Sequence, residues 1–329
     1  MKPCYSALCS RVHSNMEKRN FTEDGNHKSI EELFCAAELT GEMQVQLICL
    51  SVLNTLLSIT AFLGNTLILV ALHKESSLHP PSKLLFRNMA TTDMCVGIIS
   101  EPLCVTYLIS VIYERWNICR FASAAAHITG YIVGSVSLLT LTAISVDRLL
   151  ALLSGLRYRQ VVTLTRTYLV LAVFWAVAIA GSTMYFWNSN YLVTVLCSCI
   201  GISLCLGTSI FCYTKISLTL CHNSNQVQNH VLQGQPSQTL PLNIARYKKT
   251  VSSALYVQLA LVVCYLPHAV VGFLLTQRGM SSSVFHCWGF AVTLLYLNSS
   301  LNPILYCWKI RDLRQAVKDT LRELCTSLS

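Results

Sequence analysis

Long segments without a charged residue dominate this sequence and restrict the folds that it can adopt. The charge-free windows are 45–72, 121–146, 167–214, 250–276 and 279–308. A helix that crosses the hydrocarbon of a bilayer needs about 20 mostly apolar residues. The window 167–214 is long enough for two crossings and breaks at the polar residues 188–190. The segment 89–112 adds another crossing, although it contains two carboxylates. The sequence therefore predicts an all-α membrane protein, a bundle of seven transmembrane helices.

Composition and loop charge support this interpretation and give an orientation. Only 12% of the residues are charged, whereas a soluble domain carries about 25%. If the N-terminus lies outside, the cytoplasmic side holds sixteen Lys and Arg residues, and the outer loops hold only Arg115, Arg120 and Arg278. Because cytoplasmic loops carry an excess of Lys and Arg, we expect an extracellular N-terminus. The net charge of +9 then belongs to one membrane face and indicates no nucleic-acid partner.

We expect three regions along the chain. Residues 1–44 form a polar extracellular tail, 45–308 the seven-helix domain, and 309–329 an amphipathic helix with a short cytoplasmic tail. Asn20, in Asn-Phe-Thr, is a glycosylation acceptor if the tail faces outward. The stretch 221–244, between the fifth and sixth helices, is rich in Gln, Asn, His and Ser and has the composition of a flexible linker.

The C-terminal region has the pattern of a helix that lies on a membrane surface. Its apolar residues recur at helical spacing, with basic residues between them: Ile310, Leu313, Val317, Leu321 and Leu324. Such a pattern predicts an interfacial amphipathic helix along the inner leaflet of the lipid bilayer. Cys325 directly follows these residues and is a candidate for palmitoylation, the alternative being an unmodified exposed thiol.

A few polar side chains interrupt the predicted helices at informative positions. Asp93 and Glu101 lie eight residues apart in the second helix. A charged group at the bilayer centre costs roughly 2.5–3.5 kcal/mol on insertion scales, so an intramembrane acid indicates function. The other uncommon polar residues are Asn65, Ser137, Asp147-Arg148, Asn298 and Asn302. Together they indicate a protein that passes a signal across a membrane.

Several of these residues stand in short motifs that follow a familiar order. The motifs are Gly64-Asn65, Asp93 in Asn-Met-Ala-Thr-Thr-Asp, Trp116, Asp147-Arg148, Trp175, Tyr213, Cys-Tyr-Leu-Pro at 264–267 and Asn-Pro-Ile-Leu-Tyr at 302–306. Over residues 45–325, the sequence resembles the rhodopsin-like (class A) G protein-coupled receptors. The resemblance implies a plasma-membrane receptor that binds an extracellular ligand and activates a heterotrimeric G protein, with arrestin as a further candidate partner. It implies no enzymatic activity. A non-signalling scavenger-type receptor and a membrane transporter are the alternatives.

The resemblance also assigns roles to the buried polar residues. Asp93, Ser137, Asn298 and Asn302 would line a hydrated pocket that holds a sodium ion in the inactive state. Hard oxygen ligands suit such a cation, and the ion would offset the cost of the buried carboxylate. The alternative is a hydrogen-bonded network without an ion.

By the same resemblance, a second group of residues would form the activation switch. Asp147 would hold Arg148 at rest and release it toward the G protein. Tyr213 and Tyr306 would approach each other in the active state. Pro267 and Pro303 would kink the sixth and seventh helices and let them move.

The sequence departs from the family pattern at four positions that bear on signalling and folding. Leu149 replaces the tyrosine that usually follows Asp-Arg, and Tyr265 replaces the tryptophan of the sixth helix. Tyr247 stands where an acid often locks the arginine, so we expect appreciable basal signalling. Cys205 stands at the usual proline of the fifth helix.

The extracellular cysteines differ from the family as well. Ser123 holds the position of the usual cysteine in the third helix, and the second outer loop is only a few residues long. Together with the missing proline of the fifth helix, these features resemble the melanocortin branch and its adenosine, cannabinoid and lysophospholipid relatives. That resemblance implies a disulfide between Cys35 and Cys287, the alternative being two free thiols.

The outer half of the bundle offers candidates for ligand contact. They are Glu101, His127, Tyr131, Tyr265, His268 and Trp288. Gly130 occupies the position of the aspartate that binds amines in aminergic receptors, so a biogenic amine held in that way is not expected. Glu101 favours a small peptide or another polar cationic molecule. Its alternatives are a pair with Arg120 or His127, or a protonated acid that faces the bundle.

Overall fold

The structure is a computed structural model that describes residues 34–35, 44–74, 78–187, 191–232, 240–279, 281–309 and 311–328. Asn20 lies outside these residues. Within the described ranges, seven helices are long and apolar enough to cross a membrane, which confirms the predicted fold class. They are α1 (Gln44–Lys74), α2 (Pro80–Ile112), α3 (Trp116–Ser154), α4 (Leu164–Trp187), α5 (Tyr191–Leu232), α6 (Leu240–Arg278) and α7 (Ser282–Lys309), followed by α8 (Arg311–Leu328).

The helices form a closed bundle in which α3 is central. Helix α1 packs against α2 and α7, α3 packs against α2, α4 and α5, and α6 packs between α5 and α7. Asn88 joins three helices, because it donates to Thr140 Oγ1 (2.9 Å) and accepts from Trp175 Nε1 (3.2 Å). Many leucine, isoleucine and valine side chains are exposed on the outer faces, as expected where lipid replaces water around the protein.

Helix α2 contains a local irregularity that places Glu101. A π-helical turn, Val96–Ser100, separates two α-helical parts, Pro80–Cys95 and Glu101–Ile112. Pro102 lacks a backbone N–H and its ring crowds the preceding turn, so a wider turn relieves the helix just before it. The extra residue rotates everything that follows around the helix axis, and Glu101 becomes fully buried.

The fifth and sixth helices extend farther than the sequence pattern predicts. Helix α5 continues to Leu232 and α6 begins at Leu240, so most of the predicted flexible linker is helical. Polar composition alone does not end a helix, and the first Gly or Pro after residue 214 is Gly234. The helices therefore continue past the membrane until the breakers at 234, 236 and 241 are approached.

A disulfide bond ties the N-terminal segment to α3. Cys35 pairs with Cys119, with their Cα atoms 6.1 Å apart, and Cys287 is an exposed free thiol. The predicted pairing of Cys35 with Cys287 is therefore wrong. Phe34 explains the choice: its ring packs on Trp288 with centroids 4.7 Å apart, and its carbonyl accepts a hydrogen bond from Tyr107 (3.1 Å). This anchoring turns Cys35 toward the first turn of α3.

Candidate signalling and ligand sites

Asp93 is the centre of a buried hydrogen-bond network between α2, α3 and α7. Its carboxylate accepts from Ser137 Oγ (3.1 Å), Ser299 Oγ (2.9 Å) and Asn302 Nδ2 (2.7 Å). The structure thus brings together three of the four residues predicted for this site. The fourth, Asn298, is buried nearby in α7, and its Nδ2 has no hydrogen-bond partner among the described residues.

Sequence reasoning missed Ser299, although a signal for it was present. Ser299 and Asn302 are three residues apart and therefore lie on one face of a helix, and both contact Asp93. The backbone carbonyl of Ser299 also accepts from Asn65 Nδ2 on α1 (3.0 Å). The network thus extends across four helices.

The donor set fits a small hard cation. The carboxylate of Asp93 and the hydroxyls of Ser137 and Ser299 are oxygen ligands, which hard cations prefer. A carboxylate offers about four lone-pair sites, and Asp93 accepts three hydrogen bonds. Asn302 presents its amide nitrogen to Asp93 and is a positioning residue in this arrangement.

Asp147 forms a second polar cluster, at the opposite end of α3 from Cys119. It pairs with Arg148 Nη2 (3.0 Å) and accepts from Ser82 Oγ (3.0 Å) and Tyr158 Oη (2.6 Å). Burial raises the pKa of Tyr158, and its hydrogen bond to Asp147 adds to the shift, so the hydroxyl stays a donor at neutral pH. Ser82 and Tyr158 were not predicted from the sequence, since neither belongs to a motif.

The remaining residues of the predicted switch lie in long helices. Tyr213 of α5 is buried in a cluster with Leu149, Cys212 and Ile216. Pro267 lies inside α6 and Pro303 inside α7. The side chain of Tyr306 lies outside the described part of the structure, so its approach to Tyr213 stays a prediction.

Glu101 is buried and has no hydrogen-bond partner in the part of the chain that the structure describes. Neither carboxylate oxygen has a hydrogen bond, and no ion pair reaches it among the described residues. The predicted alternative pair with Arg120 is therefore not formed. Tyr296 of α7 interacts electrostatically with Glu101, and its hydroxyl lies 3.6 Å from the point where a Cβ would stand at Gly130. Gly130 thus leaves room for Tyr296 beside the carboxyl group.

The other predicted ligand residues lie in different parts of the bundle. His127 of α3 and His268 of α6 are close enough to interact electrostatically. Tyr265 lies near Ser137 and Asp93, which places it with the deeper network. Tyr131 faces α4, where a Cβ at Gly181 would stand 2.6 Å from its hydroxyl. Trp288 packs in an aromatic cluster with Phe34, Tyr107 and Phe285.

Comparison with known proteins adds to this geometry. Residues 64–194 and 183–306 match the family described as 7 transmembrane receptor (rhodopsin family). The chain belongs to this family. The receptor is therefore a G protein-coupled receptor of the rhodopsin-like class, as its motifs predicted, and a multi-pass membrane protein.

Full-length relatives agree with this assignment. "Probable G-protein coupled receptor 45" of Homo sapiens is 24% identical over 315 residues, which cover 83% of this chain and 82% of that protein. Adenosine receptor A2b of Mus musculus is 27% identical over 299 residues, with 80% and 86% covered. Adenosine receptor A3 of Ovis aries is 24% identical over 277 residues, with 79% and 85% covered. Adenosine receptors are among the relatives of the melanocortin branch that the sequence resembles.

Proposed function

We propose that the receptor lies in the plasma membrane with its N-terminus outside and binds a small peptide or another polar cationic ligand through Glu101. One observation carries this proposal: both carboxylate oxygens of Glu101 are buried and lack a partner among the described residues. A buried polar atom without a hydrogen bond costs roughly 1–3 kcal/mol. A cationic or donor group of a ligand would remove that cost.

The surroundings of Glu101 support a ligand rather than an internal ion pair. The receptor keeps no cation within reach of the carboxyl group among its described residues. His127 of α3 and His268 of α6 are close enough to interact electrostatically with each other, and their imidazole groups can donate or accept hydrogen bonds. A ligand that bridges Glu101 and these imidazoles would link α2, α3 and α6, and could shift their relative positions.

The relatives favour a second ligand class. Two of the proteins that the receptor matches carry the name adenosine receptor, so a nucleoside is the alternative ligand. A nucleoside could donate an amino or hydroxyl group to Glu101, but it brings no fixed positive charge. Replacing the carboxylate by an amide should therefore weaken a cationic ligand more than a nucleoside.

The test is a ligand panel of cationic peptides, polyamines and nucleosides, read out by G protein dissociation. Glu101→Gln should weaken the active cationic ligand about tenfold or more, since hydrogen bonds to charged groups contribute roughly 1.5–3 kcal/mol. Glu114→Gln is the matched control, because it makes the same chemical change at an exposed turn between α2 and α3. Equal effects of the two variants on every active ligand would contradict the proposed role of Glu101.

We propose further that the inner end of the bundle couples to the heterotrimeric G protein and to arrestin through the Asp147 cluster. The pair of Asp147 and Arg148 would hold the resting state, and α6 and α7 would move about Pro267 and Pro303. In the resting state, Asp93, Ser137 and Ser299 would hold a sodium ion, with Asn298 and Asn302 beside them. A panel ligand that binds without dissociating any G protein would instead indicate a scavenger-type receptor.

Lipid attachment at Cys325 is a separate proposal. The thiol is exposed on α8, and α8 packs against α1 and α7. Palmitate on Cys325 would hold this helix against the inner leaflet. Hydroxylamine-sensitive palmitate labelling that survives in Cys325→Ser would contradict it.

A further inference from the structure

We propose that an anionic phospholipid binds in a groove between α1 and α2, at the end of the bundle that carries Asp147. The groove has a volume of about 380 Å³ and is lined by Leu69, Val70, His73, Lys74, Arg87 and Thr91. The occupant would place its phosphate against the basic side chains and an acyl chain against the apolar ones. No part of this inference depends on the identity of the receptor's ligand.

Arg87 places a positive charge on the exposed face of α2, inside the end of the bundle. Ser82 of α2 contacts Asp147, which places Ser82 at the end of the bundle. Arg87 follows five residues later, about 7.5 Å farther toward the bilayer centre at 1.5 Å per residue. Its side chain is exposed, and it forms no ion pair within the described ranges. A lipid-facing cation at this depth is costly unless it reaches a counter-charge.

The rest of the groove supplies the surroundings that a phospholipid requires. His73 and Lys74 end α1, so they lie at headgroup level, and they line the same groove as the deeper Arg87. No lining residue is acidic, although Lys74 pairs with the exposed Glu323 of α8. Arg87 thus keeps a charge that no carboxylate in the groove compensates. Guanidinium groups bind phosphate in a bidentate geometry, and basic pockets between transmembrane helices bind anionic headgroups.

The apolar part of the groove lies next to the basic part. Leu69 and Val70 stand about one turn inside His73 and Lys74, and Val70 is 41% exposed. The hydroxyl of Thr91 is already bonded to the carbonyl of Arg87 (2.8 Å), so it adds no unmet polar group to this wall. Charge at headgroup level with apolar surface toward the bilayer centre matches a phospholipid better than a soluble anion.

Native mass spectrometry of the purified full-length receptor tests the proposal. The protein is titrated with phosphatidylserine, with phosphatidylcholine, and with soluble glycerophosphoserine as a competitor. We expect phosphatidylserine to bind more tightly than phosphatidylcholine, and glycerophosphoserine not to displace it at equal concentration. Equal binding of the two lipids would overturn the proposal, and efficient displacement by glycerophosphoserine would show a site for soluble anions instead.

Variants locate the binding to the groove. Arg87→Gln should weaken phosphatidylserine binding about tenfold. Arg159→Gln, on the exposed linker after α3, removes the same charge at the same end of the bundle and should leave binding unchanged. Val70→Trp fills the groove, keeps every charge and should also weaken binding. Equal effects of Arg87→Gln and Arg159→Gln would overturn the proposal. If Arg87→Gln does not fold, unchanged binding in Val70→Trp would overturn it.

Discussion

Tyr158 holds the carboxylate of Asp147 from the linker that follows α3, at a distance of 2.6 Å. Because the same carboxylate pairs with Arg148, its anchoring should favour the resting state. Tyr158→Phe removes only the hydroxyl, and hydrogen bonds to charged groups contribute roughly 1.5–3 kcal/mol. We expect ligand-free nucleotide exchange on the G protein to rise several-fold.

Tyr168→Phe is the control for this change, since Tyr168 is exposed on α4 and is not among the described hydrogen-bond partners of Asp147. The expected basal activity also depends on Tyr247, which stands where an acid often locks the arginine and whose side chain lies outside the described part of the structure. Unchanged exchange in Tyr158→Phe would mean that Ser82 and Arg148 alone hold Asp147.

Asp93 gives a second prediction at the scale of single residues. If the Asp93 network holds sodium, the wild-type receptor should melt at a higher temperature in sodium chloride than in choline chloride. The gain should be about 1 kcal/mol when the sodium concentration is about five times its Kd. Asp93→Asn removes the charge and should abolish the difference, and Ser299→Ala should reduce it. A sodium effect that persists in Asp93→Asn would show that sodium acts elsewhere. The Asp93 network would then be a hydrogen-bonded network without an ion.

Among the helices, α1 and α2 approach each other closely at Gly97. A Cβ at this position would stand 2.8 Å from the backbone N of Phe62 and 2.8 Å from the carbonyl O of Ser58. Because both are backbone atoms of α1, neither can move aside without a shift of the helix. Gly97→Ala should therefore force the helices apart and destabilise the receptor by about 1–3 kcal/mol. Thermal unfolding in detergent measures the change.

Gly134→Ala on α3 is the matched control for Gly97→Ala. A Cβ there has nothing within 4 Å, and alanine in a helix interior is more favourable than glycine by roughly 0.5–1 kcal/mol. We expect an unchanged or slightly higher melting temperature. Similar losses in both variants would show that the close approach at Gly97 does not limit stability.

The helices also show which parts of the fold the sequence predicts. Charge-free length and loop charge are local properties, and they predict the seven crossings, while the order of motifs predicts that Asp93, Ser137 and Asn302 converge. The sequence does not predict the π-helical turn before Pro102 or the correct partner of Cys35. A wider turn competes with a kink at a proline, and a disulfide depends on which cysteine a distant aromatic contact brings near. Both outcomes depend on packing between helices, which periodicity does not encode.

At the scale of the whole molecule, Phe34 and Cys35 connect the N-terminal segment to the end of the bundle that carries Trp288 and Cys119. Phe34 is buried against Tyr107 and Trp288, next to the disulfide between Cys35 and Cys119. A ligand that enters near Trp288 therefore meets this segment before it reaches the interior. The segment should contribute both to the stability of this end of the bundle and to the access of such a ligand.

Serine substitutions separate the observed disulfide from the pairing that the sequence suggested. Cys35→Ser and Cys119→Ser should lower the melting temperature alike, because disulfides typically contribute about 2–4 kcal/mol. The double variant should be no less stable than either single one, since the two residues act as one bond. Cys287→Ser should leave stability unchanged, because its thiol is free. A loss in Cys287→Ser equal to that in Cys35→Ser, together with a Cys35–Cys287 peptide in a non-reduced digest, would contradict the arrangement described.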